Sequence, residues 1–202
     1  MEQNIRPLKG VRVGFAMCGS YCVFARVFPV LESLLEAGAE VYPILSENAA
    51  HTDSRFGKAS EHLARLEALT GRKVIQTIAE AEPIGPKKML DVLAVVPCTG
   101  NTLAKLASGI ADTTVTLAVK AHLRNERPVV IAVSSNDALA GNAASLGRLL
   151  DRRGFYFVPF GQDDPIGKPR SLVADFSRTA ETIEAALDGK QIQPMIFDKQ
   201  RK

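Results

Sequence analysis

Short apolar segments alternate along the chain with longer segments whose apolar residues recur at helical spacing. This alternation predicts strands at residues 11–17, 41–45, 74–78, 92–96, 129–133 and 155–158. The run at 92–96 (VLAVV) contains no polar position, which is typical of a parallel strand covered on both faces. Helices are predicted at residues 24–37, 60–70, 102–107, 114–125, 142–153 and 171–187.

Repeated strand–helix order predicts one α/β domain, because such units form a parallel sheet through right-handed crossovers. We therefore expect a single-domain Rossmann-like or flavodoxin-like fold with three layers: a six-stranded parallel sheet and helices on both faces. No break in composition divides the 202 residues. Residues 1–9 and 196–202 are expected to be flexible tails.

Composition excludes several classes of protein. Hydrophobic residues make up 46% of the chain and charged residues 23%, which are ordinary globular values. The net charge of +3 comes from interspersed signs, so no nucleic-acid surface is predicted. No apolar run reaches the length of a membrane span and the N-terminus lacks a secretory signal, so we expect a cytoplasmic protein. Cys18, Cys22 and Cys98 lack the partners of a metal site, and we expect neither metal nor disulfides.

The loops that follow the first two strands carry small and polar residues. In an open parallel sheet, ligands bind beyond the carboxyl ends of the strands. Gly19, Ser20 and Tyr21 follow the first strand, and Ser46 follows the second. A glycine, a hydroxyl and a helix N-terminus together favour a phosphate. The alternative for each loop is a tight turn with a helix cap, which needs the same residue types.

Two later strands end in richer polar sequences. Cys98, Thr99, Gly100, Asn101 and Thr102 follow the strand at 92–96, an arrangement that presents backbone N–H groups, hydroxyls and an amide together. The strand at 129–133 is followed by three further predicted ligand contacts, namely Ser134, Ser135 and Asn136. In the loop at 160–170, Lys168 and Arg170 are candidates for binding anionic groups, and an exposed basic loop is the alternative.

The segment PCTGNTLAKLASGIAD at residues 97–112 resembles the signature of the homo-oligomeric flavin-containing Cys decarboxylase family. That signature places P-x-S-A-N-T before a helix and G-I-A-D after it, and here Thr99 and Gly100 replace its serine and alanine. The family's later A-P-A-M-N motif ends at Asn136, with Val133 and Ser135 where Pro and Met are usual. The resemblance implies bound FMN and a homo-oligomer, a trimer or a dodecamer.

Departures from the family bear on the reaction. Ile84 stands where its decarboxylases carry a catalytic histidine, and no cysteine follows Cys98 to supply their late thiol. His62 and His122 lie within helical patterns and are interpreted as surface residues, so no catalytic residue is assigned. An oxidative role fits this sequence better than decarboxylation.

Within this family, three segments resemble one component of a two-chain synthase of spore-forming bacteria in particular. They are GFAMCGSYC, PCTGNTLAKLA and DPIGKPRSLVADF. It implies oxidation of a dihydropyridine dicarboxylate in the mother cell, together with a partner chain that binds NAD(P). Two alternatives remain open at this point. One is a non-catalytic assembly component, and the other is a stand-alone FMN-dependent decarboxylase.

Overall fold

The computed structural model describes residues 8–197, which form one mixed sheet between two layers of helices. The strands are β1 (Arg12–Met17), β2 (Glu40–Leu45), β3 (Val92–Cys98), β4 (Val129–Ser135), β5 (Phe155–Phe157), β6 (Phe160–Gly161) and β7 (Leu172–Ala174). The helices are α1 (Phe24–Glu36), α2 (Glu47–His51), α3 (Ala59–Thr70), α4 (Ile78–Ala81), α5 (Gly100–Ala107), α6 (Thr114–Leu123), α7 (Ala143–Leu150) and α8 (Thr179–Leu187).

The parallel part of the sheet has the order β2-β1-β3-β4-β5. This is the flavodoxin-like order, in which the winding direction reverses between β1 and β3. Every residue of β3 and β4 is buried, as their uninterrupted apolar sequences predict. β2 lies at the edge of the sheet, where Pro43 is tolerated because one side of the strand needs no full ladder. The predicted fold class is confirmed.

Each face of the sheet has its own apolar core. One core packs α1 and α8 against residues such as Val13 and Phe15. The other packs α5, α6 and α7 against residues such as Leu93 and Ile131. Both cores leave the carboxyl ends of the central strands free to carry polar loops.

Two predicted elements are wrong. Residues 74–78 form no strand: Ile75 makes only an isolated parallel bridge to Ile44, and α4 begins at Ile78. The predicted terminal helix begins only at Thr179, because Leu172–Ala174 pairs antiparallel with the last two residues of β4. The sheet therefore has seven strands and is mixed, rather than six-stranded and fully parallel.

The predicted tails reach too far into the chain. Leu8 is 2% exposed and belongs to the first core, and the Phe197 N–H donates to the Phe160 carbonyl at 3.2 Å. The other residues of both predicted tails, apart from Lys9 and Ile196, lie outside the described residues. None of the helices within residues 8–197 combines the length and apolar character needed to cross a membrane.

Candidate ligand site at the carboxyl ends of β1, β2 and β3

A cavity of about 410 Å³ opens at the point where the winding of the sheet reverses. The loops after β1, β2 and β3 form its walls, together with α5 and the turn before α6. Its lining residues are Cys18, Gly19, Ser46, Glu47, Asn48, Thr99, Asn101, Thr102, Lys105, Asp112 and Thr113. The cavity therefore joins three of the four strand-end loops that were predicted to bind a ligand.

Helix caps hold two of the cavity's hydroxyls in place. Thr99 precedes α5, and its Oγ1 accepts from the Thr102 N–H at 3.3 Å. The Thr102 hydroxyl lies 3.1 Å from that of Thr99 and contacts Cys18 Sγ at 3.3 Å. Ser46 caps α2 by accepting from the Ala49 N–H at 3.3 Å. The capping alternative is thus correct for Ser46, Thr99 caps α5 in the same way, and both residues line the cavity.

The start of α5 supplies backbone donors to this region. The first N–H groups of any helix lack an intrahelical acceptor. At α5 the Thr102 N–H is satisfied by Thr99, whereas Gly100 and Asn101 begin the helix. The partial positive charge of a helix N-terminus favours an anion or an oxygen-rich group beside these residues.

Three charged side chains line the cavity, and each has a partner. Lys105 Nζ lies 2.8 Å from Asp112 Oδ1, and this hydrogen bond lowers the pKa of Asp112. Glu47 Oε1 accepts from the N–H and the hydroxyl of Thr114 at 2.7 and 2.8 Å. Sequence reasoning did not assign these residues, although Lys105 and Asp112 lie within the recognised 97–112 motif. Cys18, Asn48 and Thr113 were also missed, each beside a residue or motif singled out for other reasons.

The loop after β4 meets the other loops through hydroxyls. Ser20 Oγ lies 2.8 Å from Ser134 Oγ, which joins the ends of β1 and β4. The Tyr21 hydroxyl donates to the Asn48 carbonyl at 2.7 Å and links the loops after β1 and β2. These three predicted residues border the cavity without lining it. They connect the loops whose other residues line the cavity.

Several predicted contacts lie elsewhere. Cys98 is fully buried, and burial raises the pKa of its thiol. Gly100 and Ser135 pack against each other on the side of α5 that faces α7. Asn136 is exposed beyond the end of β4. Lys168 and Arg170 occupy an exposed loop, with Lys168 Nζ 3.9 Å from Asp163, and neither lines the cavity.

Cys18 is the cavity's thiol. Burial raises its pKa to about 11, so the sulfur is a neutral thiol at physiological pH. Within residues 8–197 no three His, Cys, Asp or Glu side chains converge on a point that would hold a metal ion.

The interpretation of His122 as a surface residue is wrong. Its side chain is completely buried, and Nε2–H donates to the Pro128 carbonyl at 3.0 Å. Burial lowers its pKa to about 4. His62 is half-buried and packs its ring against Phe24 and Phe28, with centroid distances of 5.0 and 6.0 Å. Neither histidine lines the cavity.

The position of the decarboxylase histidine is occupied by a core residue. Ile84 is fully buried in the second core, between the sheet and α6. The buried isoleucine side chain at this position cannot act as a base. The structure thus carries no equivalent of that histidine at Ile84.

Comparison with known proteins first defines the class. The family described as Flavoprotein matches residues 1–158, and the chain belongs to this family. The protein is 46% identical over 191 residues to the B subunit of dipicolinate synthase from Bacillus subtilis (strain 168), covering 95% of this chain and 96% of that protein.

Solved structures agree with this class. The crystal structure of the B subunit of dipicolinate synthase from Bacillus halodurans has a TM-score of 0.88 and 42% identity, covering 95% of this chain and 98% of that one. The FMN-dependent cysteine decarboxylase SpaF has a TM-score of 0.66 and 24% identity over 89% of this chain and 98% of its own, which shows the fold alone.

The cavity's chemistry fits the phosphate and polyol of FMN. The hydroxyls of Ser46, Thr99 and Thr102, the start of α5 and the ammonium of Lys105 are donors suited to phosphate oxygens. Glu47 Oε2, which has no hydrogen-bond partner within residues 8–197, suits a hydroxyl donor. Glycine at position 19 leaves the backbone accessible, since the nearest atoms to a Cβ there would be those of the Tyr21 side chain, at 3.4 Å.

Proposed function

We propose that this chain is the B subunit of a dipicolinate synthase, working with an A subunit that binds NAD(P). The pair would oxidise dihydrodipicolinate, or its hydroxy-tetrahydro precursor, to dipicolinate during sporulation. The observation that carries this proposal is the 46% identity to the corresponding component of the Bacillus subtilis synthase over nearly the full length of both chains.

The proposed cofactor is FMN, and the cavity supports it. Gly19 and Ser20 would lie at the phosphate, Ser46 at the phosphate or the ribityl chain, and residues 99–102 around the ligand. When bound, FMN supplies an acceptor for the two electrons that a dihydropyridine ring loses on becoming aromatic, a role that NAD(P) on the partner chain can also fill.

The remaining predicted residues have proposed roles around the substrate. Ser134, Ser135 and Asn136 would lie toward the flavin ring, at the end of β4. Lys168 and Arg170 are the proposed contacts for the two substrate carboxylates, because guanidinium and ammonium groups bind carboxylates strongly. We also propose that the chain forms a homo-oligomer, a trimer or a dodecamer, as the family resemblance implies.

The test is an assay of this protein and its purified NAD(P)-binding partner, separately and mixed, for dipicolinate formation. We expect the mixture to be active, each protein alone to be inactive, and this protein to show flavin absorbance in the visible range. Full activity of the NAD(P)-binding partner alone would contradict the proposal.

A non-catalytic assembly role is the alternative that one observation favours. Ser134 and Ser135 are buried and make hydrogen bonds to Ser20 and Asp137, which leaves them little capacity to bind a flavin ring. This alternative predicts that the partner needs this protein for activity but that this protein binds no flavin in a titration. A stand-alone decarboxylase predicts instead that this protein by itself releases carbon dioxide from a carboxylated thiol, which the buried Ile84 argues against.

A further inference from the structure

Three polar side chains converge on the first residue of α5. Ser135 ends β4, Asp137 follows it, and Asn142 precedes α7. The Ser135 hydroxyl donates to Asp137 Oδ1 at 2.6 Å, and Asn142 Nδ2 donates to Asp137 Oδ2 at 2.7 Å. Each oxygen of the Asp137 carboxylate is thereby oriented by one neutral donor.

This arrangement requires glycine at position 100. A Cβ at Gly100 would lie 2.5 Å from Asn142 Nδ2, 2.6 Å from Ser135 Oγ and 2.8 Å from Asp137 Oδ1. Such distances are shorter than van der Waals contact, so any side chain at position 100 would displace the polar group. Gly100 and Ser135 are also two of the positions at which this sequence departs from the family motifs. The structure places these two departures side by side, around one carboxylate.

The Asp137 carboxylate is accessible to solvent and lies next to the N-terminus of a helix. Asp137 is exposed at the carboxyl end of β4. Its Oδ1 lies against the start of α5, where the partial positive charge of the helix stabilises an anion. Thr99 and Asn101, the neighbours of Gly100, both line the ligand cavity. Asp137 does not itself line the cavity, but hydrogen bonds hold its carboxylate against Gly100, whose two sequence neighbours do.

The charged side chains that line the cavity are already engaged with protein partners. Lys105 pairs with Asp112, and Glu47 accepts two hydrogen bonds from Thr114. Among residues 8–197 the Asp137 carboxylate has no charged side chain in contact with it. Its own side-chain partners are the neutral groups of Ser135 and Asn142.

From these contacts we infer that Asp137 is the proton acceptor of the oxidation, with Ser135 and Asn142 as its positioning residues. The inference rests on the proposed function. A dihydropyridine ring loses two hydrogens on becoming aromatic, and one leaves as a hydride to the flavin or nicotinamide acceptor. The other leaves as a proton to the Asp137 carboxylate, and the electron pair of that broken bond becomes part of the aromatic ring.

The test is Asp137→Asn in the mixture of this protein with its NAD(P)-binding partner. We expect dipicolinate formation to fall by about 100-fold, because general bases contribute at least that factor. The acid limb of the pH–rate profile should also disappear, while flavin binding and the melting temperature stay as in the wild type. The matched control is Asp151→Asn, which removes an exposed carboxylate at the other end of α7 and should leave the rate unchanged.

Two further variants keep the inference testable if Asp137→Asn folds poorly. Ser135→Ala removes a donor that positions the carboxylate, so the acid limb should change and kcat should fall more than KM changes. Gly100→Ala should lower kcat by displacing the carboxylate. An unchanged rate and acid limb in Asp137→Asn and Ser135→Ala would overturn this inference alone. Full activity of the NAD(P)-binding partner by itself would overturn both this inference and the proposed function.

Discussion

The two ends of the parallel sheet use polar groups for different purposes. At the amino ends of β1, β3 and β4, charges are paired with each other: Asp91 lies 2.6 Å from Arg12 Nη2 and 3.2 Å from Arg127 Nη1. At the carboxyl ends, hydroxyls and helix N-termini surround a cavity, as at Ser46 and Thr99. The amino end closes its hydrogen bonds within the protein, whereas the carboxyl end keeps donors and acceptors available to a ligand.

This contrast predicts that substitutions at the amino end change stability and that those at the carboxyl end change binding. His122 and Asp91 belong to the amino end, because His122 donates to the carbonyl of Pro128, just before β4. Lys105 belongs to the carboxyl end. Each of the following experiments tests this contrast between the two ends.

The largest expected effect concerns acid stability through His122. Burial holds its pKa at about 4, below the ordinary value of 6.5, and Nδ1 is buried without a hydrogen-bond partner among the described residues. Above pH 6.5 the ring is neutral in both states and has no effect. As the pH falls from 6.5 to about 4, only the unfolded chain binds the proton, and the folded state loses about 3 kcal/mol.

His122→Gln should remove this loss. Urea unfolding measures the free energy of unfolding at neutral pH and at about pH 4. Its decline between these two pH values should be smaller in His122→Gln than in the wild type. His51→Gln, at an exposed position, is the matched control and should keep the wild-type decline. An equally steep decline in His122→Gln would show that the buried ring does not control acid stability.

Asp91→Asn tests the ion network at the amino end. Asp91 accepts from the backbone N–H and the guanidinium of Arg12, and these contacts lower its pKa. Because its side chain is about one third exposed, we expect a loss of only about 2 kcal/mol in urea unfolding, with FMN affinity unchanged. Glu40→Gln breaks the surface pair with Arg72 and should cost much less. Weaker FMN binding by Asp91→Asn would contradict the expectation that substitutions at the amino end change stability but not binding.

Lys105→Ala tests the carboxyl end. Loss of the ammonium should raise the dissociation constant of FMN about tenfold, as expected for one charge-assisted hydrogen bond to phosphate. Stability should change by no more than about 0.5 kcal/mol, because the Asp112 pair is near the surface. Lys73→Ala, which breaks the exposed pair with Glu67, is the matched control in the fluorescence titration. Equal affinities of the two variants would remove Lys105 from the proposed site.

The last comparison is between two glycines, and its smaller effect is at Gly147. Gly147 lies in the middle of α7, and a Cβ there would meet no atom within 4 Å. Gly147→Ala should therefore stabilise the fold by about 0.5–1 kcal/mol, since alanine is the better helix former. Gly100→Ala should destabilise it by about 1–3 kcal/mol, because three polar atoms occupy the space. Thermal unfolding of both variants checks the difference in sign.

Much of the fold was predictable because its signals are local. The apolar runs at β3 and β4 and the helical spacing of α1 lie within single segments of sequence, and all three elements form. Leu172–Ala174 was predicted as helix because the segment around it has helical spacing. Its strand conformation depends on pairing with Ser134 and Ser135, almost forty residues away in sequence.

The sequence by itself determined the α/β class and predicted a cavity beyond the strand ends and three of the loops that line it, because apolar periodicity and turn chemistry are local properties. The tertiary structure alone decided which loop residues face the cavity, that His122 is buried, and that Gly100 leaves room for Asp137. These outcomes depend on contacts between residues distant in the chain, which no local pattern specifies.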